Sequence, residues 1–193
     1  MRPRTFIIAA LVVGLMAAPL RAQDDVENAE AKAMSLIDRG DYKGAAPLLE
    51  VALKNAQARY GADDPSLAIE MGNLAEVYRH LGRLQQAEDL LLRAVTLDER
   101  AGADNAQGLA TTLNNLALVY RDQRRLPEAE KAALRSLNLL EKALGPSHPD
   151  VARALGNLAA IYQAEGYPER SIPLLQRAIT IADKTDGSRG ASG

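Results

Sequence analysis

Few residues of this chain are suited to covalent or metal chemistry. The sequence has no cysteine and only two histidines, His80 and His148. A thiolate metal site, a cysteine nucleophile and a disulfide scaffold are therefore excluded. The signature motifs of zinc proteases, phosphate-binding loops, serine hydrolases and dinucleotide-binding folds do not occur. Helix capping and solvation explain the acidic pairs Asp24-Asp25 and Asp63-Asp64. We expect no catalysis by this chain, no metal and no cofactor.

Three asparagines suggest binding instead. Asn73, Asn115 and Asn157 each begin the tripeptide Asn-Leu-Ala, and successive copies are 42 residues apart. Asparagine is a poor residue for a helix interior, because its amide competes for nearby backbone groups. The same amide is donor and acceptor, so it can bond the backbone of an extended peptide whatever side chains that peptide carries. The spacing raises the question of which elements present these amides.

The 42-residue period extends well beyond the asparagines. Tyrosine, arginine and small or leucine positions recur in the same register, at Tyr78, Tyr120 and Tyr162, at Arg93, Arg135 and Arg177, at Ala87, Ala129 and Ser171, at Leu91, Ala133 and Leu175, and at Ala94, Ser136 and Ala178. An upstream copy keeps the second half of this pattern but has Ala31 and Leu36 in place of Asn and Tyr. We therefore predict a degenerate first repeat over 25–65, repeats over 66–107, 108–149 and 150–186, and a disordered tail over 187–193.

Each repeat has the pattern of two helices joined by a short polar break. In the third repeat the apolar spacing predicts helices over about 108–122 and 126–144. The second helix of the last repeat is expected to end near Asp183. The linkers YGADDPS and LGPSHPD pair a glycine stop with a proline start, and His148 is expected at a helix entry beside Pro149. The linker AGADNAQG lacks the proline, so we expect a looser junction there.

The segment LATTLNNLALVYRDQRRLPEAEKAALRSLNLLEKALGPSHPDV resembles the tetratricopeptide repeat, in its 42-residue kinesin-light-chain form. The resemblance covers roughly residues 25 to 186. It implies an all-α solenoid of stacked antiparallel helix pairs, a superhelix of about eight helices. It also implies that the first helices of successive repeats line a concave groove, in which the asparagine of this motif often contacts a bound peptide.

One face of each first helix would line that groove, and we call its residues the groove stripe. Helical projection assigns to it Ile69, Asn73, Glu76, His80, Thr111, Asn115, Leu118, Asp122, Arg153, Asn157 and Ala160. Packed helices lie about 8–10 Å apart and an extended chain rises about 3.1–3.4 Å per residue, so each asparagine would meet every third ligand residue. The alternative is that the asparagines satisfy local backbone groups or the neighbouring repeat. Asn114 lies off the stripe and is expected on a solvated flank, and His80 is expected in solvent.

The first 22 residues differ from the rest. A basic start, MRPR, precedes an apolar run over residues 5–20 and a small residue, Ala22, which is the order of a secretory signal peptide. The alternative is an uncleaved amino-terminal membrane anchor. Either way we expect the body to be exported, periplasmic or secreted, with no membrane insertion of the mature domain. The remaining chain has 20 basic against 25 acidic residues, which argues against binding to nucleic acid.

The sequence therefore favours a non-enzymatic module of the cell envelope that binds a peptide segment or partner protein in the concave groove. The mixed charges along the stripe favour an internal segment over an acidic tail. One alternative is an assembly scaffold or homo-oligomer that uses an uncapped carboxyl-terminal face, at Leu174 and Ile181. Another is an accessory subunit that presents substrates to an envelope enzyme. The identity of the partner does not follow from these residues.

Overall fold

The computed structural model describes residues 29–190, with side chains as far as Lys184. The predicted signal segment over 1–22 and residues 191–193 lie outside this range. Residues 29–38 form α1. The other elements are α2 (Tyr42–Tyr60), α3 (Leu67–His80), α4 (Leu84–Ala101), a 3₁₀ turn (Ala103–Asn105), α5 (Ala106–Asp122), α6 (Leu126–Leu144), α7 (Pro149–Glu165) and α8 (Pro168–Gly190). The described chain is all-α, as predicted.

The helices stack as antiparallel pairs. The most extensive contacts lie within the pairs α3/α4, α5/α6 and α7/α8, and each pair then packs on the next through α4/α5 and α6/α7. The first helices α3, α5 and α7 also contact one another in turn, whereas the second helices α2, α4, α6 and α8 make no comparable contacts among themselves. Since the first helices converge and the second helices spread apart, the stack curves with α3, α5 and α7 on its concave side.

Leucine and small residues at the repeat positions produce this packing. Leu74, Leu116 and Leu158 are buried in the same register on α3, α5 and α7. Small residues on the second helices allow close approach, as at fully buried Ser136, whose hydroxyl donates to the carbonyl oxygen of Ala110 at 2.6 Å. The residues that recur every 42 positions therefore include the buried contacts within each helix pair.

The junction between α4 and α5 is not loose, although its linker lacks proline. The buried carboxylate of Asp98 accepts hydrogen bonds from Thr112 Oγ1 at 2.6 Å and from Asn105 Nδ2 at 2.7 Å. These bonds attach both the 3₁₀ turn and α5 to the end of α4. A buried acceptor with two partners therefore fixes the helix start that proline fixes elsewhere, and the expectation of looseness is wrong.

Left-handed residues end the first helices. Gly82 and Gly166 follow α3 and α7 with φ of 73° and 84°, as expected for glycine past a helix end. The corresponding residue after α5 is Arg124, whose φ is 64° and which is the one non-glycine residue with positive φ in the described chain. A side chain with a Cβ in this region is strained by the adjacent carbonyl oxygen.

A tyrosine, an arginine and a glutamate join consecutive repeats. Tyr162 of α7 donates through its hydroxyl to Glu130 of α6 at 2.8 Å, and Arg170 of α8 pairs with the same carboxylate at 2.7 Å. The Arg170 guanidinium also lies over the Tyr162 ring, 3.8 Å from its centroid. Burial and the bond to Glu130 raise the pKa of Tyr162 to about 12. In the preceding repeat Arg125 lies in the same way over Tyr120 and pairs with buried Glu88 at 2.7 Å.

The last helix differs from its prediction in two ways. α8 continues to Gly190 and not only to about Asp183, since Gly187 weakens a helix without ending it. The expected end face at Leu174 and Ile181 is also wrong: Ile181 is 4% exposed within a core cluster that includes residues of α7, and Leu174 is partly buried against that cluster. No helix among residues 29–190 combines the length and apolar character needed to span a membrane.

Candidate functional site

The groove stripe lies on the accessible surface of α3, α5 and α7. None of its members is fully buried: Ile69, Glu76, His80 and Arg153 are exposed, and the others are partly buried. Ile69 is 72% exposed, although it is a large aliphatic residue on the first turn of α3. The groove stripe is therefore accessible to solvent along its whole length.

A small recess lies in the concave surface between α3 and α5. Its volume is about 20 Å³, enough for one water molecule or a small ligand group. Three stripe residues, Glu76, Asn115 and Leu118, meet there, and the remaining lining residues are Ala75, Arg79, Leu91 and Val119. The recess therefore combines an amide, a carboxylate and a guanidinium with an apolar floor.

The side-chain amide of Asn157, in the last repeat, forms a hydrogen bond within the protein. Asn157 Nδ2 of α7 donates to Asn114 Oδ1 of α5 at 2.9 Å, and Asn114 is only 4% exposed. The prediction of a solvated Asn114 is wrong, because this residue lies between two first helices. The bond joins residues 43 positions apart, so each first helix contacts the next with an offset of one residue from the repeat period.

Asn115 differs because of the residue that faces it. The same 43-residue offset pairs Asn115 with Gly72 of α3, which has no side chain to accept or donate. No hydrogen bond to the Asn115 amide or to the Asn73 amide is found within the described residues. Two of the three predicted asparagines therefore remain available to a ligand, and the third follows the alternative in which asparagine bonds the neighbouring repeat.

An ion pair that the sequence prediction missed crosses the stripe. Arg79 Nη1 of α3 lies 3.0 Å from Asp122 Oδ2 of α5, again 43 positions apart, and Arg121 Nη2 lies 2.9 Å from Asp122 Oδ1. Burial alone would raise the pKa of Asp122, but the hydrogen bonds from Arg121 and Arg79 outweigh it and hold that pKa below its ordinary value. Asp122 is thus a structural acceptor between two helices.

Three further polar residues of the stripe, His80, Thr111 and Arg153, also have partners within the chain. The ring of His80 stacks on Tyr42 of α2, with centroids 4.1 Å apart and planes 5° from parallel. Thr111 Oγ1 donates to the carbonyl oxygen of Gln107, and Arg153 pairs with Asp150 at 3.2 Å. The ring stack corrects the expectation of a freely solvated His80, although the residue stays exposed. These contacts make the concave surface preformed.

Comparison with known proteins agrees with this architecture. The tetratricopeptide repeat profile matches residues 15–100 and 108–184. The crystal structure of BtubC (BKLC) from P. vanneervenii has a TM-score of 0.71 at 23% identity, over 84% of this chain and 65% of that one. This chain therefore spans less than two thirds of BtubC. No curated protein matches the sequence.

Two further solved structures share the fold. The Podosopora anserina putative kinesin light chain repeats have a TM-score of 0.69 at 25% identity, over 86% of this chain and 77% of that one. Aspartyl phosphate phosphatase F from Bacillus subtilis has a TM-score of 0.75 at 17% identity, over 91% of this chain and 45% of that one. Because the matched residues include most of the sequence and the neighbours have the same stacked pairs, the chain belongs to the tetratricopeptide repeat family.

Proposed function

We propose that this chain is a non-enzymatic protein–protein interaction module of the cell envelope, which binds an extended segment of a partner protein along α3 and α5. The observation that carries the proposal is the pair of amides, Asn73 and Asn115, that bond no other described residue; Asn115 lines the recess between the two helices and Asn73 holds the equivalent position on α3. An amide that has no partner within the protein and remains on an accessible surface is suited to main-chain recognition.

The register of the two amides fits an extended ligand. Asn73 and Asn115 occupy the same position on neighbouring first helices, which contact one another. Packed helices lie about 8–10 Å apart, a span that an extended chain covers in about three residues. One ligand strand can therefore bond both amides through its own backbone and place a small side chain over the recess.

The surroundings of the amides favour an uncharged or mixed internal segment. The guanidinium of Arg79 and the carboxylate of Asp122 already neutralise each other, so the site offers no unpaired cationic cluster for a chain terminus. Ile69 and Leu118 add accessible apolar surface on either side of Asn73 and Asn115. We expect a ligand with alternating apolar and small polar side chains.

The location in the envelope is part of the same proposal. The basic start and the apolar run over residues 5–20 support export to the periplasm or beyond, with tethering by an uncleaved segment as the alternative. Fractionation of cells that express the full chain tests this point. Recovery of the protein in the cytoplasm with its first 22 residues intact would contradict it.

Site-specific crosslinking in intact cells tests the binding site. A photoreactive residue at Leu118 should capture a partner, because Leu118 lines the recess. The matched control is the same residue at Leu134, which is 43% exposed on α6, away from the concave side. Capture at Leu118 should fall several-fold in the double variant N73A/N115A and remain unchanged in N157A. Equal capture at Leu134, or capture that N73A/N115A leaves intact, would refute the site.

A further inference from the structure

The carboxyl group of Glu165, the last residue of α7, is placed where a negative charge is costly. Its Oε2 atom is closed to solvent and bonds no other described residue. No ion pair with this carboxylate is found within residues 29–184 either. A buried carboxylate oxygen without a partner costs free energy, and the dipole at the carboxyl end of a helix disfavours negative charge as well. A proton on Glu165 would remove both costs.

The equivalent residue one repeat earlier shows what a donor at this position bonds. Gln123, 42 residues before Glu165, donates through Nε2 to Glu88 Oε2 at 2.8 Å. Glu130 is the counterpart of Glu88 in the next repeat, and its Oε1 accepts two hydrogen bonds from the last repeat. No donor to Glu130 Oε2 is found within the described residues. The last junction therefore has a carboxyl group where the earlier junction has a donor amide.

We propose that Glu130 and Glu165, which we call the carboxyl pair, form a proton-dependent contact between α6 and α7. With a proton taken from solvent, Glu165 is a donor and bonds the free oxygen of Glu130, as the amide of Gln123 bonds Glu88. Without that proton the pair carries two negative charges and the bond is lost. Because Arg170 attaches α8 to the same Glu130, the proton also determines how firmly the last helix is held.

Groups on all three helices of this junction act on Glu165. Burial, and then the negative charge of Glu130 on α6, raise the pKa of Glu165 above its ordinary value of 4.5, while Arg170 on α8 opposes them. Tyr162, one turn earlier on α7, keeps its own proton because its pKa is about 12. The stability that protonated Glu165 contributes is therefore complete below about pH 4.5 and is lost as the pH rises through the higher pKa of the folded chain.

The E165Q variant tests the carboxyl pair, because glutamine supplies the donor at every pH. In urea denaturation near neutral pH, the unfolding equilibrium constant of E165Q should be roughly threefold to tenfold lower than that of the unchanged chain, as one added hydrogen bond predicts. The difference should shrink as the pH falls towards 4.5. E169Q is the matched control: it removes an exposed negative charge from the first turn of α8, where that charge is favourable, and should give no such gain.

Replacing Glu130 distinguishes the carboxyl pair from an effect of the helix end alone. In an E130Q background E165Q should no longer stabilise the chain, because the amide at position 130 can donate to ionised Glu165. A gain that persists in this background would come from the helix dipole and would overturn the proposal. With Glu130 intact, hydrogen exchange at neutral pH should be slower in α8 of E165Q and unchanged in α3. Equal stability of E165Q and the unchanged chain at neutral pH, or a difference that is the same at every pH, would also overturn it.

Discussion

Replacing Gly72 by asparagine should bond the free amide of Asn115. At the α5/α7 junction, Asn114 accepts from Asn157, 43 residues on. At the α3/α5 junction the residue 43 positions before Asn115 is Gly72, so the same offset predicts that Asn115 lies opposite a glycine. A Cβ added at Gly72 would meet no atom within 4 Å, so the substitution creates no clash. G72N should therefore reproduce between α3 and α5 the bond already present between α5 and α7.

The expected change in stability follows from two contributions of the same sign. A net hydrogen bond contributes about 0.5–1.5 kcal/mol to the free energy of unfolding. Replacing glycine by asparagine within a helix adds a few tenths of a kcal/mol, because glycine has the greater backbone entropy to lose. G72N should thus stabilise the chain by about 1–2 kcal/mol. N114G reverses both contributions and should destabilise it by a similar amount.

Urea denaturation of the variants in a double-mutant cycle measures the energy of the new bond itself. In a double-mutant cycle of G72N with N115A, the interaction energy between the two positions should be about 0.5–1.5 kcal/mol, whereas G72N with N73A should give a value near zero. The second cycle is the control because Asn73 lies on the same helix as Gly72 and not opposite it. G72N should also weaken capture at Leu118, since it occupies an amide that the ligand would use.

Two results would refute this reasoning. If G72N lowered stability, the α3/α5 junction would not share the geometry of the α5/α7 junction. If G72N were stabilising with no interaction energy to N115A, helix propensity alone would explain the gain. In either case the missing side chain at Gly72 would not explain why the amide of Asn115 is unbonded among the described residues.

Two further predictions concern other parts of the fold. R124G should raise the free energy of unfolding by about 0.5–1 kcal/mol in urea denaturation, because Arg124 has positive φ where Gly82 and Gly166 stand in other repeats, and R124A should give no such gain. Because burial and Glu130 raise the pKa of Tyr162 from 10.0 to about 12, its contribution to stability should be complete below pH 10 and lost as the pH rises through about 12. Ultraviolet titration of tyrosinate should show a group that ionises near pH 12 and that Y162F removes; if Y162F instead removed a tyrosine of ordinary pKa, the assignment would be contradicted.

The fold could be predicted from the sequence because the period fixes it. A 42-residue repeat with two apolar stripes determines helix pairs, and the predicted bounds of α6, 126–144, match the structure. The placement of Asn114 failed, because projection of a single helix does not reveal the one-residue offset between neighbours. The prediction that Ile181 belongs to an exposed end face failed for a related reason. The repeat register shows which residues are equivalent, but it does not show which helix covers each of them. The ion pair between Arg79 and Asp122 was not predicted, since the two residues are neighbours only once α3 and α5 are packed together.

Whether a groove asparagine is free to bind a ligand depends on the residue 43 positions earlier, which lies on the preceding first helix. Asparagine at position 114 accepts a hydrogen bond from the amide of Asn157, and with glycine at position 72 the amide of Asn115 bonds no residue between 29 and 184. An asparagine that recurs in this register therefore does not indicate ligand binding by itself. Ligand binding is indicated only by the asparagine together with the residue 43 positions before it. If that earlier residue is polar, it bonds the asparagine amide and joins two repeats, so the amide is no longer free to bind a ligand. Exchanging the two types, as in G72N/N114G, should move the free amide from Asn115 to Asn157 and shift photocrosslinking from Leu118 towards Ala160, and failure of that shift would separate ligand recognition from the asparagines.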